Sequence, residues 1–277
     1  MKFSKMHGLG NDFVVLDGIR QTLDLAPARI RALADRRTGV GCDQVLVAEA
    51  TDTPGMDVRY RIFNADGSEA GHCGNGVRCL AVFLEREGLV PGRQAAIETE
   101  NRVTRVQLLA GDQVRVDMGE PGIDPLEIPL ATAHCLQGDP PRYRLRVGDD
   151  SVAFSALSMG NPHAVLVVAS VDAAPVTTLG AALEWHPAFP AGVNVGFMQI
   201  IDRRQIRLRV FERGCGETRA CGTGACAAVA AGRLNDTLDP SVSVDLPGGQ
   251  LQIEWPGPGT PLLMTGPAVH VFDGVWP

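Results

Sequence analysis

Cys73-Gly74-Asn75-Gly76-Val77-Arg78-Cys79-Leu80-Ala81-Val82-Phe83-Leu84 and, 148 residues further on, Cys221-Gly222-Thr223-Gly224-Ala225-Cys226-Ala227-Ala228-Val229-Ala230-Ala231 are two versions of one pattern. In each, a Cys-Gly-x-Gly turn opens a run that is apolar nearly all round rather than along one stripe. A helix of that kind is buried on every side, so each run predicts a helix with a sheet wrapped around it. The surrounding sequence repeats at nearly the same distance. Asn64 precedes Cys73 by nine residues, as Glu212 precedes Cys221. Gly10-Asn11 and Gly160-Asn161, each opening an apolar run, lie 150 apart, as do Gln44 and Asn194. Ile97-Glu98-Thr99 is answered by Val244-Asp245-Leu246, and Met118-Gly119-Glu120-Pro121 by Met264-Thr265-Gly266-Pro267. Ordered anchors at a nearly constant offset are the mark of internal repetition. Two structurally equivalent halves are therefore expected, residues 1–121 with 266–277 and residues 122–265.

Short β-branched runs separated by Gly, Pro and Asp turns read as strands: Val58 to Phe63, Val103 to Leu109 and Val114 to Met118 in the first half, then Ile206 to Phe211, Val242 to Leu246 and Leu251 to Trp255 in the second. Pro27 to Asp35 alternates polar and apolar positions at helical spacing and should lie on the outside. The class is α/β, of the α+β kind, with strands outnumbering helices.

Of the 277 residues 45% belong to the AVILMFWYC set and 21% are charged, enough apolar material for a large core. The formal charge of −7 gives no general pull toward nucleic acid or anionic lipid. Met1 to Val15 lacks the apolar segment of a secretory signal and no 18-residue apolar run occurs, so a cytoplasmic protein without membrane partners is expected. Lysine occurs only at Lys2 and Lys5, which leaves a pyridoxal-phosphate enzyme almost nowhere to form its imine. The seven cysteines, an odd number, read as reduced thiols.

Glycines at the start of a helix let backbone N–H groups approach an anion, and the helix dipole favours negative charge there. The same place is expected to lower the pKa of Cys73 and Cys221. Two such thiols related by a pseudo-twofold suit one reaction in particular. Inverting a stereocentre beside a carboxylate needs a base on one face of the carbon and an acid on the other, exchanging roles with direction. Backbone N–H groups aimed at the carboxylate can stabilise the developing charge without metal or imine.

These residues resemble the diaminopimelate epimerase family over essentially the whole chain. The matching motifs are Met6-His7-Gly8-Leu9-Gly10-Asn11-Asp12-Phe13, Gly41-Cys42-Asp43-Gln44, Phe63-Asn64-Ala65-Asp66-Gly67-Ser68-Glu69, Cys73 to Cys79, Gly160-Asn161-Pro162-His163, Gly192-Val193-Asn194, and Glu212-Arg213-Gly214 through Thr218 with Ala220-Cys221-Gly222-Thr223-Gly224-Ala225. The resemblance implies a cofactor-independent enzyme interconverting LL- and meso-2,6-diaminoheptanedioate in lysine biosynthesis. It implies two pseudo-symmetric halves, each a curled mixed sheet around a central helix, with the active site in the cleft between them. Cys73 and Cys221 would be the acid/base pair, assisted by His163 and Glu212. Gly74, Asn75, Gly222 and Thr223 would bind the reacting carboxylate; Asn11, Gln44, Asn64, Asn161, Asn194, Glu212 and Arg213 would hold the rest of the substrate. A homodimer acting on a small molecule, with no nucleic acid and no metal, is expected. Two departures stand out: His72 where glutamine is common, and Thr223 where serine is frequent.

Cys42, Cys79, Cys135, Cys215 and Cys226 read as small buried hydrophobes. Cys73 and Cys79, and Cys221 and Cys226, have spacings that share no helix face, which disfavours a metal site. His7, His134, His186 and His270 lack motif context. Three other readings stay open: a two-cysteine racemase for a smaller amino or imino acid, a hydrolase using Cys73 with His163, and a non-catalytic binder of anions or amino acids. Reversible oxidation of Cys73 with Cys221 to a disulfide is a further expectation.

Overall fold

A computed structural model describes residues 1–71, 73–99 and 103–277. The expectation for His72 falls outside the described residues. The chain divides into two compact units, Met1–Asp117 with Thr265–Pro277, and Met118–Met264.

In the first unit the hydrogen-bonded strand order is Val269–Val275, Lys2–Gly8, Asn11–Asp17, Gln44–Glu49, Val58–Asn64, Gln94–Glu98, Val103–Leu108, Gln113–Asp117. All neighbours are antiparallel except Asn11–Asp17 with Gln44–Glu49 and Val58–Asn64 with Gln94–Glu98. Parallel neighbours need a crossover, and these two carry the helices α1 (Pro27–Ala34) and α2 (Gly74–Arg86). In the second unit the order is Gln137–Asp139, Arg142–Val147, Asp150–Ser158, Pro162–Val167, Asn194–Asp202, Gln205–Glu212, Ser241–Leu246, Gly249–Glu254. Its two parallel pairs again carry helices, α3 (Val176–Glu184) and α4 (Gly222–Leu234).

The repetition extends to register. Phe13 pairs with Gln44 as His163 pairs with Asn194, and Val45 with Phe63 as Val195 with Phe211. Gly10 and Gly160 both turn the chain at φ +85°, a conformation glycine adopts without strain, and each delivers an asparagine to the head of a strand.

Each sheet curls around its second helix. In α2 every residue from Gly74 to Leu84 is buried, against the strands Lys2–Gly8, Asn11–Asp17, Gln44–Glu49, Val103–Leu108, Gln113–Asp117 and Val269–Val275. A lone 13-residue helix is marginal in water; burying Leu80, Phe83 and Leu84, at about 1.5–3 kcal/mol each, is what holds it. Arg78 is the exception to the apolar reading. It is fully buried, and its guanidinium donates to Gly74 O at 3.2 Å, Asn75 Oδ1 at 2.9 Å and Pro267 O at 3.2 Å, so the charge enters the core with hydrogen-bond acceptors around it. In α4 the alanines 225, 227, 228, 230 and 231 are all buried, small enough to let the strands close in. By contrast α1 buries only Ile30, Leu33 and Ala34, one face of an external helix. Among the described residues no helix is long and apolar enough to cross a membrane.

Candidate active site

Both Cys-Gly-x-Gly turns sit where a strand-borne loop becomes a helix. Cys73 is the N-cap residue of α2 and Cys221 that of α4, both with extended backbone. The second glycine of each turn is a packing requirement. A Cβ on Gly76 would lie 2.3 Å from Tyr60 Oη and 3.2 Å from Leu46 Cδ2; one on Gly224 would lie 3.0 Å from Val210 Cγ2 and 3.2 Å from Cys221 Sγ.

Around Cys73, which is half-buried, the sulfur accepts from Gly76 N–H at 3.4 Å and faces Asn11 Oδ1 at 3.8 Å. Asn75 Nδ2 donates to the same Asn11 oxygen at 3.4 Å. The other end of that amide, Asn11 Nδ2, donates to Asp43 Oδ2 at 2.8 Å. Asp43 is held by Arg36 at 2.7 Å, and Arg36 also grips Asp12, at 2.6 and 3.0 Å. Lys5 closes the cluster with Asp12 at 2.5 Å. Partial burial would raise the Asp12 carboxyl, but the hydrogen bonds from Arg36 and Lys5 outweigh it and hold Asp12 well below the usual carboxylate range. Gln44 Nε2 donates to Asn64 Oδ1 at 3.0 Å, and Asn64 Nδ2 to Ser68 Oγ at 3.0 Å. Tyr60, whose hydroxyl has no partner among the described residues, packs behind Gly76. Burial, and then the neighbouring Cys73, push its phenol pKa up.

Around Cys221, which is buried, the sulfur lies 3.6 Å from Thr223 Oγ1. Asn161 Nδ2 donates to that hydroxyl at 3.4 Å, and Asn161 Oδ1 meets His163 Nε2 at 3.0 Å. A carbonyl oxygen only accepts, so the imidazole carries its proton on Nε2. Burial, and then the charge of Arg213, hold the His163 pKa down at about 3, which keeps the ring neutral. Glu212 is hydrogen-bonded by Thr218 Oγ1 and by the Cys221 thiol. Burial raises the Glu212 carboxyl pKa despite these bonds. Asn194 is buried with both ends occupied: Nδ2 donates to Pro162 O at 2.9 Å and Oδ1 accepts from Arg213 N at 3.0 Å. The Arg213 side chain is exposed and donates to Ala191 O at 2.6 Å.

The first unit thus gathers Asn11, Gln44, Asn64, Cys73, Gly74 and Asn75, and the second gathers Asn161, His163, Asn194, Glu212, Arg213, Cys221, Gly222 and Thr223. Sequence reasoning missed the Lys5, Asp12, Arg36 and Asp43 cluster, although Asp12 follows Asn11 and Asp43 stands inside Gly41-Cys42-Asp43-Gln44. It also missed a repeated fastening of the loop before each thiol. Arg61 clasps Glu69 at 2.7 and 2.9 Å, and Arg209 clasps Glu217 at the same two distances, each pair 148 residues from its counterpart.

Two expectations need correction. The Cys221 pKa is raised well above the ordinary thiol value, not lowered, first by burial and then by the Glu212 charge. A helix terminus is worth about 0.3–1 kcal/mol, whereas full burial moves a pKa by up to about 3–5 units, so burial wins. The spectator cysteines are also not uniformly buried. Cys42 and Cys79 are, with burial pushing them up to about 11 and about 12, and so is Cys226; but Cys135 is half-buried and Cys215 is exposed, on the glycine-flanked loop after Glu212.

A profile of the family described as diaminopimelate epimerase matches residues 3–123 and 155–271. Curated relatives carrying that name include one from Halorhodospira halophila, 57% identical over 99% of this chain and 94% of its own, and one from Aromatoleum aromaticum, 54% identical over 99% and 98%. The chain belongs to the diaminopimelate epimerase family. Among solved structures, a probable proline racemase of Agrobacterium radiobacter matches with TM-score 0.71 at 16% identity, covering 100% of this chain and 92% of that one. A hydroxyproline epimerase of Agrobacterium vitis matches with TM-score 0.70 at 18% identity, covering 99% and 91%. These two likenesses extend the fold, with its paired halves, beyond the family.

Proposed function

We propose that the protein is a cofactor-independent isomerase that interconverts LL- and meso-2,6-diaminoheptanedioate, with Cys73 and Cys221 as the proton-transferring pair. The carrying observation is the recurrence, in both units, of a thiol at a buried helix start linked to a positionally equivalent asparagine, directly at Cys73 and through the Thr223 hydroxyl at Cys221. The relatives' names supply the substrate.

In this reading the two units act on a single α-carbon. One sulfur, as thiolate, removes the proton; the other, as thiol, delivers one to the opposite face, and the roles reverse for the other stereoisomer. Glu212, already bonded to Cys221, takes up and returns that thiol's proton, and His163 fixes Asn161. N–H groups in the first turns of α2 and α4 hold the reacting carboxylate as its α-carbon gains negative charge. Arg213 offers a fork for the distal carboxylate. That residue favours the long substrate over a small amino or imino acid, which has no second carboxylate to bind. A hydrolase built on Cys73 and His163 would leave Cys221 idle.

The setting we propose is a cytoplasmic homodimer serving lysine biosynthesis. Alanine at either Cys73 or Cys221 should abolish epimerisation, and turnover in deuterated water should label the α-position. Full turnover by either alanine variant would refute the reading. Mild oxidant should inactivate the protein reversibly by joining the two sulfurs.

A further inference from the structure

The equivalent asparagines Asn11 and Asn161 are turned opposite ways: Asn11 presents its oxygen to Cys73, and Asn161 its nitrogen to the Thr223 hydroxyl beside Cys221. Asn11 turns its oxygen toward Cys73, at 3.8 Å, and its nitrogen to Asp43 Oδ2, at 2.8 Å. Asn161 gives its oxygen to His163 Nε2, at 3.0 Å, and its nitrogen to Thr223 Oγ1, the hydroxyl beside Cys221, at 3.4 Å. The fixing groups are not shared. Where the first unit has Asp43 the second has Val193, and where the second has His163 the first has the buried Phe13, each 150 residues apart.

A primary amide has a donor end and an acceptor end of nearly the same shape, so an asparagine's orientation is set by whichever neighbour can only accept or only donate. The Asp43 carboxyl accepts from N–H groups at both of its oxygens. Its Oδ1 is pinned by Arg36 at 2.7 Å, and its Oδ2 also takes the Asp12 N–H at 3.1 Å, so the carboxylate is fixed before Asn11 is.

We infer that Asp43 is a positioning residue for the proton transfer proposed above: it locks the Asn11 amide with oxygen toward Cys73, so that this sulfur faces an acceptor. An acceptor favours S–H over S⁻, so the lock biases Cys73 toward its protonated form. Without Asp43 the amide keeps only the longer bond from Asn75 Nδ2, at 3.4 Å, and can turn to offer its nitrogen to the sulfur and favour the thiolate. Among the described residues, ionisable groups that interact with this sulfur include Tyr60 on the strand Val58–Asn64 and Cys79 on α2, and Lys5, Asp12 and Arg36 stand behind Asn11. All of them, and His72 next in sequence, are the same in the proteins to be compared.

The test is the pH dependence of Cys73 alkylation by iodoacetamide in the intact protein, read at Cys73 by peptide mass spectrometry. Asp43→Ala and Asp43→Ser should move its midpoint down by about 0.5–1 pH unit with the plateau rate unchanged. Removing a nearby negative charge would also lower the midpoint, so both replacements are repeated in an Asn11→Ala background. The shift should vanish there. A shift of equal size in both backgrounds, or none in a folded variant, overturns the inference. The inference rests on the epimerase reading for its meaning but not for its measurement. Loss of that reading would appear as a wild-type protein that exchanges no α-proton, whatever alkylation reports.

Discussion

Glu212, the last residue of its strand, accepts a hydrogen bond from the thiol of Cys221 nine residues on. The equivalent place before Cys73 holds Asn64, whose amide oxygen is occupied by Gln44. One frame therefore sets an acid beside one thiol and an amide in the matching position of the other.

Glu212→Gln keeps the size and the Thr218 contact but cannot take up a proton. General acid–base groups contribute about 10²–10⁴-fold, so kcat should fall by roughly 10²-fold or more in both directions, with KM nearly unchanged. Steady-state rates from each stereoisomer decide it; a variant within threefold of wild type would remove Glu212 from the proton path.

Acidification should weaken the fold through His163. Its pKa is near 3 when folded and about 6.5 when unfolded, so between those values the unfolded chain binds the extra proton and stability falls as pH falls. The raised carboxyl of Glu212 works the other way and offsets part of this. His163→Gln retains a donor for Asn161 but does not titrate, and should flatten the slope of Tm against pH between about 4 and 6. Parallel slopes for the two proteins would contradict the assignment.

Tyr60→Phe removes a buried hydroxyl that has no partner among the described residues. An unsatisfied buried group costs about 1–3 kcal/mol, so the variant should gain roughly 1 kcal/mol in urea unfolding. Gly76→Ala, whose Cβ would fall 2.3 Å from that hydroxyl, should lose about 1–3 kcal/mol. Combining the two should recover part of the loss, since the closest clashing atom is gone.

Cys215 should be the first cysteine modified by a bulky maleimide, since it is exposed while Cys221 is buried. Cys215→Ser should slow the first phase of labelling and leave turnover unchanged. Inactivation that tracks Cys215 labelling would point to a role the geometry does not give it.

The sequence carried the helices and the repeat because both are periodic. Eleven consecutive buried residues in α2 leave a signature that no surface helix shares, and a shared register between units follows from keeping the same spacing. What it could not carry is set by packing across long loops. Asp43 meets Asn11 from 32 residues away and Arg36 meets Asp12 from 24, and neither pairing leaves a periodic trace. The Cys221 pKa was misjudged because a helix start is visible in sequence, whereas the burial that overrides it depends on the whole second sheet. Arg78 was hidden for the opposite reason: a single charge in an apolar run looks like noise until its acceptors are seen.

Asn64 and Glu212 sit at corresponding strand ends, each before a loop clasped by the same arginine–glutamate pair. A symmetric assembly of two identical single-unit chains would have to install one residue type at both ends at once. Fusing the copies into one polypeptide lifts that obligation, so the clasp could stay constant while the residue it presents diverged. The forward and reverse reactions of such a protein are then free to follow unequal acidity profiles, within the limit set by their common equilibrium constant.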